Sequence, residues 1–155
     1  MTHRPGTLPA DAPLVGSVMT PFPHAVSLDQ SLAVARRLMA EHQVRHLPVK
    51  ERGQLVGLVS DRDIKLVLGP SAGVAIDGQG PLVRHACILD VYTAEMDTPL
   101  GEVVATLARR RIGSALITRQ GRLAGIFTAT DACRYLADLL GFDVDPPPPT
   151  DDQAA

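Results

Sequence analysis

Tryptophan is absent from this 155-residue chain, and aromatic residues make up only 3% of it. A core must therefore be built from Leu, Val, Ile, Ala and Met. A protein that stacks bases along a single nucleic-acid strand relies on aromatic platforms, and few are on offer here. An excess of positive charge is lacking too. Lys and Arg number 15 against 17 Asp and Glu, a formal net charge of −2. Nucleic-acid binders carry a basic surplus, so no nucleic-acid partner is expected. The one dense basic run, Arg109-Arg110-Arg111, suits the negative end of a helix dipole. Cysteine is scarce. Cys87 and Cys133 have 45 residues between them and no CxxC pattern, and read as reduced, partly buried thiols. No apolar run approaches the ~18–20 residues that span a bilayer, and the first residues lack the apolar stretch of a signal peptide. The expectation is a cytoplasmic protein with no membrane partner. His24, His42, His46 and His85 show no metal-ligand spacing, so no metal is expected. No GxSxG, P-loop or Ser/His/Asp order is present either, and the chain is not expected to be an enzyme.

What is present is a repeat. Sliding the chain by 68 positions lays residues 14–63 over 82–131 without a gap. Leu14-Val15 meets Leu82-Val83, Leu32 meets Leu100, and Gly53-x-Leu55-x-Gly57 meets Gly121-x-Leu123-x-Gly125. Nine of 50 positions are identical. The substitutions are more telling: Met39/Leu107, Val44/Ile112, Val49/Ile117, Leu58/Ile126 and Ser60/Thr128 keep size and character. A gapless register of this length signals two structural repeats.

Each copy reads as a mixed α/β (α+β) unit of βαββα type. A short extended piece falls near residues 25–26 and 93–94. An amphipathic helix follows: Leu100, Val103, Val104, Leu107 and Ala108 fall at i, i+3, i+4, i+7 and i+8. Leu32, Ala35 and Met39 keep that stripe in the first copy. Ser31 is placed to cap the first helix, and Thr98 before Pro99 to cap the second. Two strands come next, at 47–49 and 55–59, matched by 115–118 and 123–127. Polar turns ending in Gly53 and Gly121 join them, where glycine supplies positive φ. A second helix closes each copy, at 61–68 and 130–140. Residues 69–81 hold four Gly and two Pro and read as a linker. The boundaries expected are a flexible tail 1–13, repeats 14–68 and 82–141, and a proline-rich disordered tail 142–155 that folding does not need. One unit of this size buries too little by itself. Two should pack with pseudo-two-fold symmetry and leave two equivalent clefts, one per copy. Leu100, Val103, Val104 and Leu107 exceed the needs of one small core, which predicts a homodimer.

The segment richest in chemistry is Gly57-Leu-Val-Ser60-Asp-Arg-Asp63, repeated as Gly125-Ile-Phe-Thr128-Ala-Thr-Asp131. An apolar strand ends at a hydroxyl, and an acid follows three positions later at a helix start. The plain reading is an N-cap with an acid in the first turn. The functional reading is a small-ligand site, where free N–H groups face a phosphate and the carboxylate holds a ribose diol. The two are compatible.

Val18-Met-Thr-Pro21, Leu32 to Met39, Val44-Arg-His-Leu-Pro-Val49 and Gly53 to Asp63 together resemble a CBS domain. The second copy matches through Arg111 to Ile117 and Gly121 to Asp131, so the resemblance covers about residues 14–140. It implies two CBS repeats packed as a Bateman module, which binds AMP, ADP, ATP or S-adenosylmethionine and regulates a partner protein, here unknown. The implied ribose pairs are Ser60/Asp63 and Thr128/Asp131, flanked by Arg62 and Thr130. The loop framing adenine falls on Thr20, Pro21, Phe22, Pro23, His24 and Ala25, and in the second copy on Tyr92, Thr93 and Ala94. The phosphate region falls on Arg45 and His46 with Pro48, matched without charge by Gly113, Ser114 and Ala115. The second copy also has Cys87-Ile-Leu where the first has Met19-Thr-Pro, so the clefts need not be equally occupied. The alternative is a structural dimerisation module with vestigial clefts.

Overall fold

A computed structural model describes residues 12–21, 24–69 and 80–144. The expected tails and linker, 1–13, 69–81 and 142–155, lie largely outside these residues. The first copy contains β1 (Thr20–Pro21), β2 (Val26–Ser27), α1 (Leu32–His42), β3 (His46–Glu51), β4 (Gln54–Ser60) and α2 (Asp61–Leu68). The second contains β5 (Thr93–Glu95), α3 (Leu100–Arg110), β6 (Ser114–Arg119), β7 (Arg122–Thr128) and α4 (Ala129–Leu139). The helices and hairpins match the sequence reading, with the hairpin strands longer by two or three residues, but Thr20–Pro21, expected in a loop, forms a short strand. Both hairpins turn through two residues at positive φ: Arg52 at 50° and Gly53 at 77°, Gln120 at 51° and Gly121 at 76°. That is the pattern of a two-residue turn whose twist fits the strands it joins.

The packed units differ from the covalent repeats. One sheet runs β2-β3-β4, and the other β1-β7-β6-β5. Thus β1, which begins the first copy, pairs with β7 of the second, Thr20 opposite Ile126. The reverse exchange is a bridge between Ile88 and Leu58, closed by two hydrogen bonds of 2.8 and 2.9 Å. Each copy is preceded by a 3₁₀ turn, Val15–Ser17 or Val83–His85, and each turn docks on the other copy. Val15 N–H donates to Thr98 O, and Val83 N–H to Gln30 O. Those two contacts are related by the 68-residue shift, as are Gly16 N–H to Met96 O and Arg84 N–H to Leu28 O.

The cores follow the exchange. Val83, Ala86 and Cys87 pack among Leu32, Leu47, Val59 and Ile64 of the first copy. Val15, Val18 and Met19 pack with Val103, Ile117 and Phe127 of the second. Val15 and Val83 have no exposed surface. Each contributes about 1.5–3 kcal/mol to a core not its own.

Three expectations need correction. Thr98 does not cap α3: Pro99 is the cap residue and no side chain bonds the helix start. The first helical N–H, on Leu100, donates instead to Pro13 O from the opposite copy, and Leu32 N–H does the same to Pro81 O. In α1 that backbone bond adds to the expected Ser31 cap, whose hydroxyl accepts from Val34 N–H at 3.2 Å, whereas α3 has the backbone bond without a side-chain cap. Leu100, Val103 and Leu107 are buried, and half-buried Val104 packs on the same core. They leave no surplus for a dimer interface. Cys133 is exposed rather than packed, because it lies on the outer side of α4.

Gly57 and Gly125 sit where the exchanged segments cross. A Cβ on Gly57 would lie 2.5 Å from Ile88 O and closer still to the Cys87 sulfur, while one on Gly125 would lie 2.5 Å from Thr20 O and from Met19 Sδ. Neither glycine is needed for its φ, since neither has a positive φ. They are needed for space. Gly57→Ala and Gly125→Ala are each expected to cost about 1–3 kcal/mol, measured by urea denaturation. Wild-type stability in both would show that the crossing is loose.

Candidate functional site at the repeat boundary

The strand-to-helix junctions form as the sequence predicts. Ser60 Oγ accepts from Asp63 N–H at 3.1 Å, and Asp63 Oδ2 accepts from Ser60 N–H at 3.3 Å and from the Ser60 hydroxyl. Thr128 and Asp131 repeat this, at 3.2 Å and 2.8 Å. Both are reciprocal capping boxes. Each uses a single carboxylate oxygen, Oδ2. Asp63 Oδ1 has no bond among the described residues. Asp131 Oδ1 lies 3.9 Å from Arg134.

Hairpin register brings further groups to the junction. His46 stands opposite Ser60 on β3, and Asp61 N–H donates to Arg45 O at 2.9 Å. The second copy repeats this with Ser114 opposite Thr128 and Ala129 N–H on Gly113 O. Beside Asp63 opens a cavity of about 460 Å³, within the range of small-ligand sites. One side comes from the first copy: Arg45, His46, Ser60, Arg62 and Asp63. The other comes from the second: Asp90, Tyr92, Arg110, Gly113 and Ser114, with Ile88 between. The cleft therefore joins both copies, and does not belong to one.

Seven of the residues singled out in the sequence, Arg45, His46, Ser60, Arg62, Asp63, Tyr92 and Ser114, meet in this cavity. Thr20 and Pro21 pair instead with β7, the strand that ends at Thr128 and leads into α4 with Asp131. Thr130 follows Thr128 in the first turn of α4, exposed. His24 is exposed and its ring stacks on His42 at 3.4 Å. Ala25 is half-buried just before β2, and Thr93 is exposed on β5. Pro48 is fully buried within β3. Ala94 and Ala115 belong to the hydrophobic core, so their side chains are not available to a ligand. Phe22 and Pro23 lie outside the described residues. Sequence reasoning missed Asp90, Ile88 and Arg110 as cavity residues. The exchange brings the first two to Asp63, and no spacing within one copy signals it. Arg110, taken for a helix-end charge, does stand in the last turn of α3, yet it also lies over the Tyr92 ring, 5.6 Å from its centre.

His46 stands where the two halves meet. Burial pushes its pKa below the ordinary value of 6.5, Arg45 adds to that, and the carboxylates of Asp63, Asp131 and Asp61 oppose it. It thus senses the acid of each cleft. Burial also raises the Cys87 thiol, so this sulfur serves packing rather than thiolate chemistry. Among the described residues no group of three or more His, Cys, Asp or Glu side chains is arranged to hold a metal. None of the described helices is long and apolar enough to cross a membrane.

The sequence model of one family, the CBS domain, matches residues 15–69 and 83–138. The chain belongs to the CBS domain family. It is 31% identical over 117 residues to the CBS domain-containing protein YhcV of Bacillus subtilis, covering 76% of this chain and 81% of that protein. It is also 31% identical over 109 residues to an inosine-5'-monophosphate dehydrogenase of Thermoplasma acidophilum. That match covers 70% of this chain but only 20% of the enzyme. The fold is that of solved CBS pairs. The CBS domain pair of protein MJ0100, in complex with 5'-methylthioadenosine and S-adenosyl-L-methionine, superposes with a TM-score of 0.71 at 23% identity, over 81% of this chain and 97% of that one. The protein CBSX2 in complex with AMP gives 0.65 at 24% identity, over 83% and 98%.

The lowered His46 pKa has a consequence for stability. Above about pH 6.5 the ring is neutral folded and unfolded, and carries no penalty. As pH falls below that, the unfolded chain takes up a proton that the folded protein resists, and stability declines toward the folded pKa. Urea denaturation between about pH 7.5 and pH 5 should show a decline that is smaller in His46→Gln. An identical pH slope in that variant would contradict the assignment.

Proposed function

We propose that this CBS pair is a regulatory module that binds an adenine nucleotide or S-adenosylmethionine at the repeat boundary and passes the change to a partner protein. The observation that carries the reading is the position of Asp63. Its Oδ2 is committed to the helix start, while Oδ1 stays uncommitted beside a cavity built from both copies. A ribose diol offers two adjacent donors, which suit a carboxylate acceptor. The half-apolar wall of Leu58, Ile88 and Ile112 suits the flat face of a base. The adenosine ligands of the MJ0100 pair and of CBSX2 support the same chemistry. Because the ligand would touch both copies, it can favour one arrangement of the two over another, which is what a sensor requires. Binding, and not catalysis, is the role assigned.

Asp63→Asn keeps a carbonyl oxygen for the Ser60 N–H and removes the charge. It should weaken one nucleotide-binding event about ten-fold in calorimetry, with melting lowered by no more than about two degrees. Asp131→Asn should do the same to the other event. A variant that melts lower yet binds AMP, ATP or S-adenosylmethionine unchanged would reduce both acids to helix caps.

A homodimer belongs to the same reading, but through other helices than the sequence suggested. Leu66 on α2 is 74% exposed, Leu139 on α4 is 67% exposed, and Phe142 beyond it is 70% exposed. Apolar groups this exposed on two elements favour a protein partner, and a second copy of the chain is the one proposed. Light scattering should give a dimer mass at micromolar concentration, and Leu136→Asp with Leu139→Asp should halve it. A wild-type monomer would rule this out.

A further inference from the structure

The Asp63 cavity collects guanidinium groups that form no ion pair among the described residues. Arg45 enters from the start of β3, Arg62 from the first turn of α2 and Arg110 from the last turn of α3. Among the described residues the ion pairs join Arg37 to Glu41, Lys65 to Asp61, Arg84 to Asp29 and Arg134 to Asp131. None involves these three arginines. Of the acids in the same cavity, Asp61 is paired with Lys65 at 2.7 Å. Asp63 bonds only the neutral Ser60 and keeps its charge, and neither Asp63 nor Asp90 is in an ion pair among the described residues. The three arginines therefore outnumber the two unpaired carboxylates.

The residues that the 68-residue shift relates to this cavity, around Asp131, are different. Shifting by 68 residues replaces Arg62 by Thr130, Arg110 by His42 and Tyr92 by His24. The contact between the last two pairs persists with other chemistry. Arg110 lies over Tyr92, and His42 stacks on His24. A guanidinium stays charged at any physiological pH, whereas a threonine brings no charge. The one arginine beside Asp131, Arg134, faces that acid itself. Arg45 discriminates least, because its counterpart Gly113 lines the same Asp63 cavity.

We propose that the Asp63 cavity selects nucleoside di- and triphosphates over monophosphates, that Arg62 and Arg110 set this selectivity, and that the Asp131 cleft lacks it. The proposal rests on the nucleotide-binding reading above. One phosphate can be met by a single guanidinium. Three arginines arriving from three elements suit a chain of phosphates, each group gaining a charge-assisted hydrogen bond. All three are exposed, so water tempers each contact and no single one dominates.

The test is calorimetry of the full chain with ATP, ADP and AMP, in the Asp131→Asn and Asp63→Asn backgrounds. With Asp63 intact, ATP should bind about ten-fold or more tightly than AMP. With Asp131 intact instead, the ratio should stay within about three-fold. Adding Arg62→Gln and Arg110→Gln to the first background should bring the ratio down to about three-fold or less, mainly by weakening ATP. AMP affinity should move little. An ATP to AMP ratio near one at the Asp63 cavity, or a ratio kept in the double arginine variant, would overturn the proposal and leave the nucleotide reading intact. Absence of binding by all three nucleotides would instead overturn the nucleotide reading itself, and the proposal with it.

Discussion

The leading segment of each repeat completes the other repeat, and the molecule is organised around that exchange. Val15 fills the second core and Val83 the first. Pro13 and Pro81 each accept the first N–H of the opposite copy's helix. Thr20 and Ile88 each add backbone bonds to the opposite sheet. A unit of about 50 residues has too little interior for independent stability. Here the missing apolar residues, and an acceptor for the first N–H of α1 and of α3, are supplied across the repeat boundary. Two buried glycines, Gly57 and Gly125, are the steric condition for it.

Function follows from the same crossing. Without the exchange, Asp63 would face solvent at the end of a hairpin. With it, Ile88, Asp90 and Tyr92 are carried across to wall a cavity beside the acid. The floor comes from one repeat and the wall from the other, so a ligand seated there would bear on their relative placement. His46, which lines this cavity, feels the charge of both Asp63 and Asp131. The backbone frame is symmetric, but its side chains are not. Arg62, Arg110 and Tyr92 line the Asp63 cavity, and the 68-residue shift puts Thr130, His42 and His24 in the equivalent places. Equal frames with unequal charge are a simple way for one fold to hold two sites of different preference.

Much of this was legible in the sequence. The 68-residue shift located both hairpins, all four helices and both capping boxes, because those depend on local spacing: a glycine at the turn, an acid three residues after a hydroxyl, an apolar stripe at helical period. Four points were not legible. Leu14-Val15 and Leu82-Val83 stood out as matched pairs, yet nothing local tells which core they enter. Thr98 before Pro99 has the form of a cap, but Pro99 itself takes the cap position and the first N–H goes to the backbone of Pro13. Leu100, Val103 and Leu107 looked surplus only while the second core was counted without Val15, Val18 and Met19 around it. Arg110 read as a dipole charge, since its neighbour Tyr92 is distant along the chain. Each miss concerns a contact between residues far apart in sequence, which periodicity does not encode.

The account stands on a ligand cleft shared by both repeats. The most direct measurement is a titration of isotopically labelled protein with ATP, followed by backbone amide shifts. The account predicts saturable shifts at Ser60 to Asp63 of the first repeat together with Ile88 to Tyr92 of the second. Shifts confined to one repeat, or none at these amides, would contradict it.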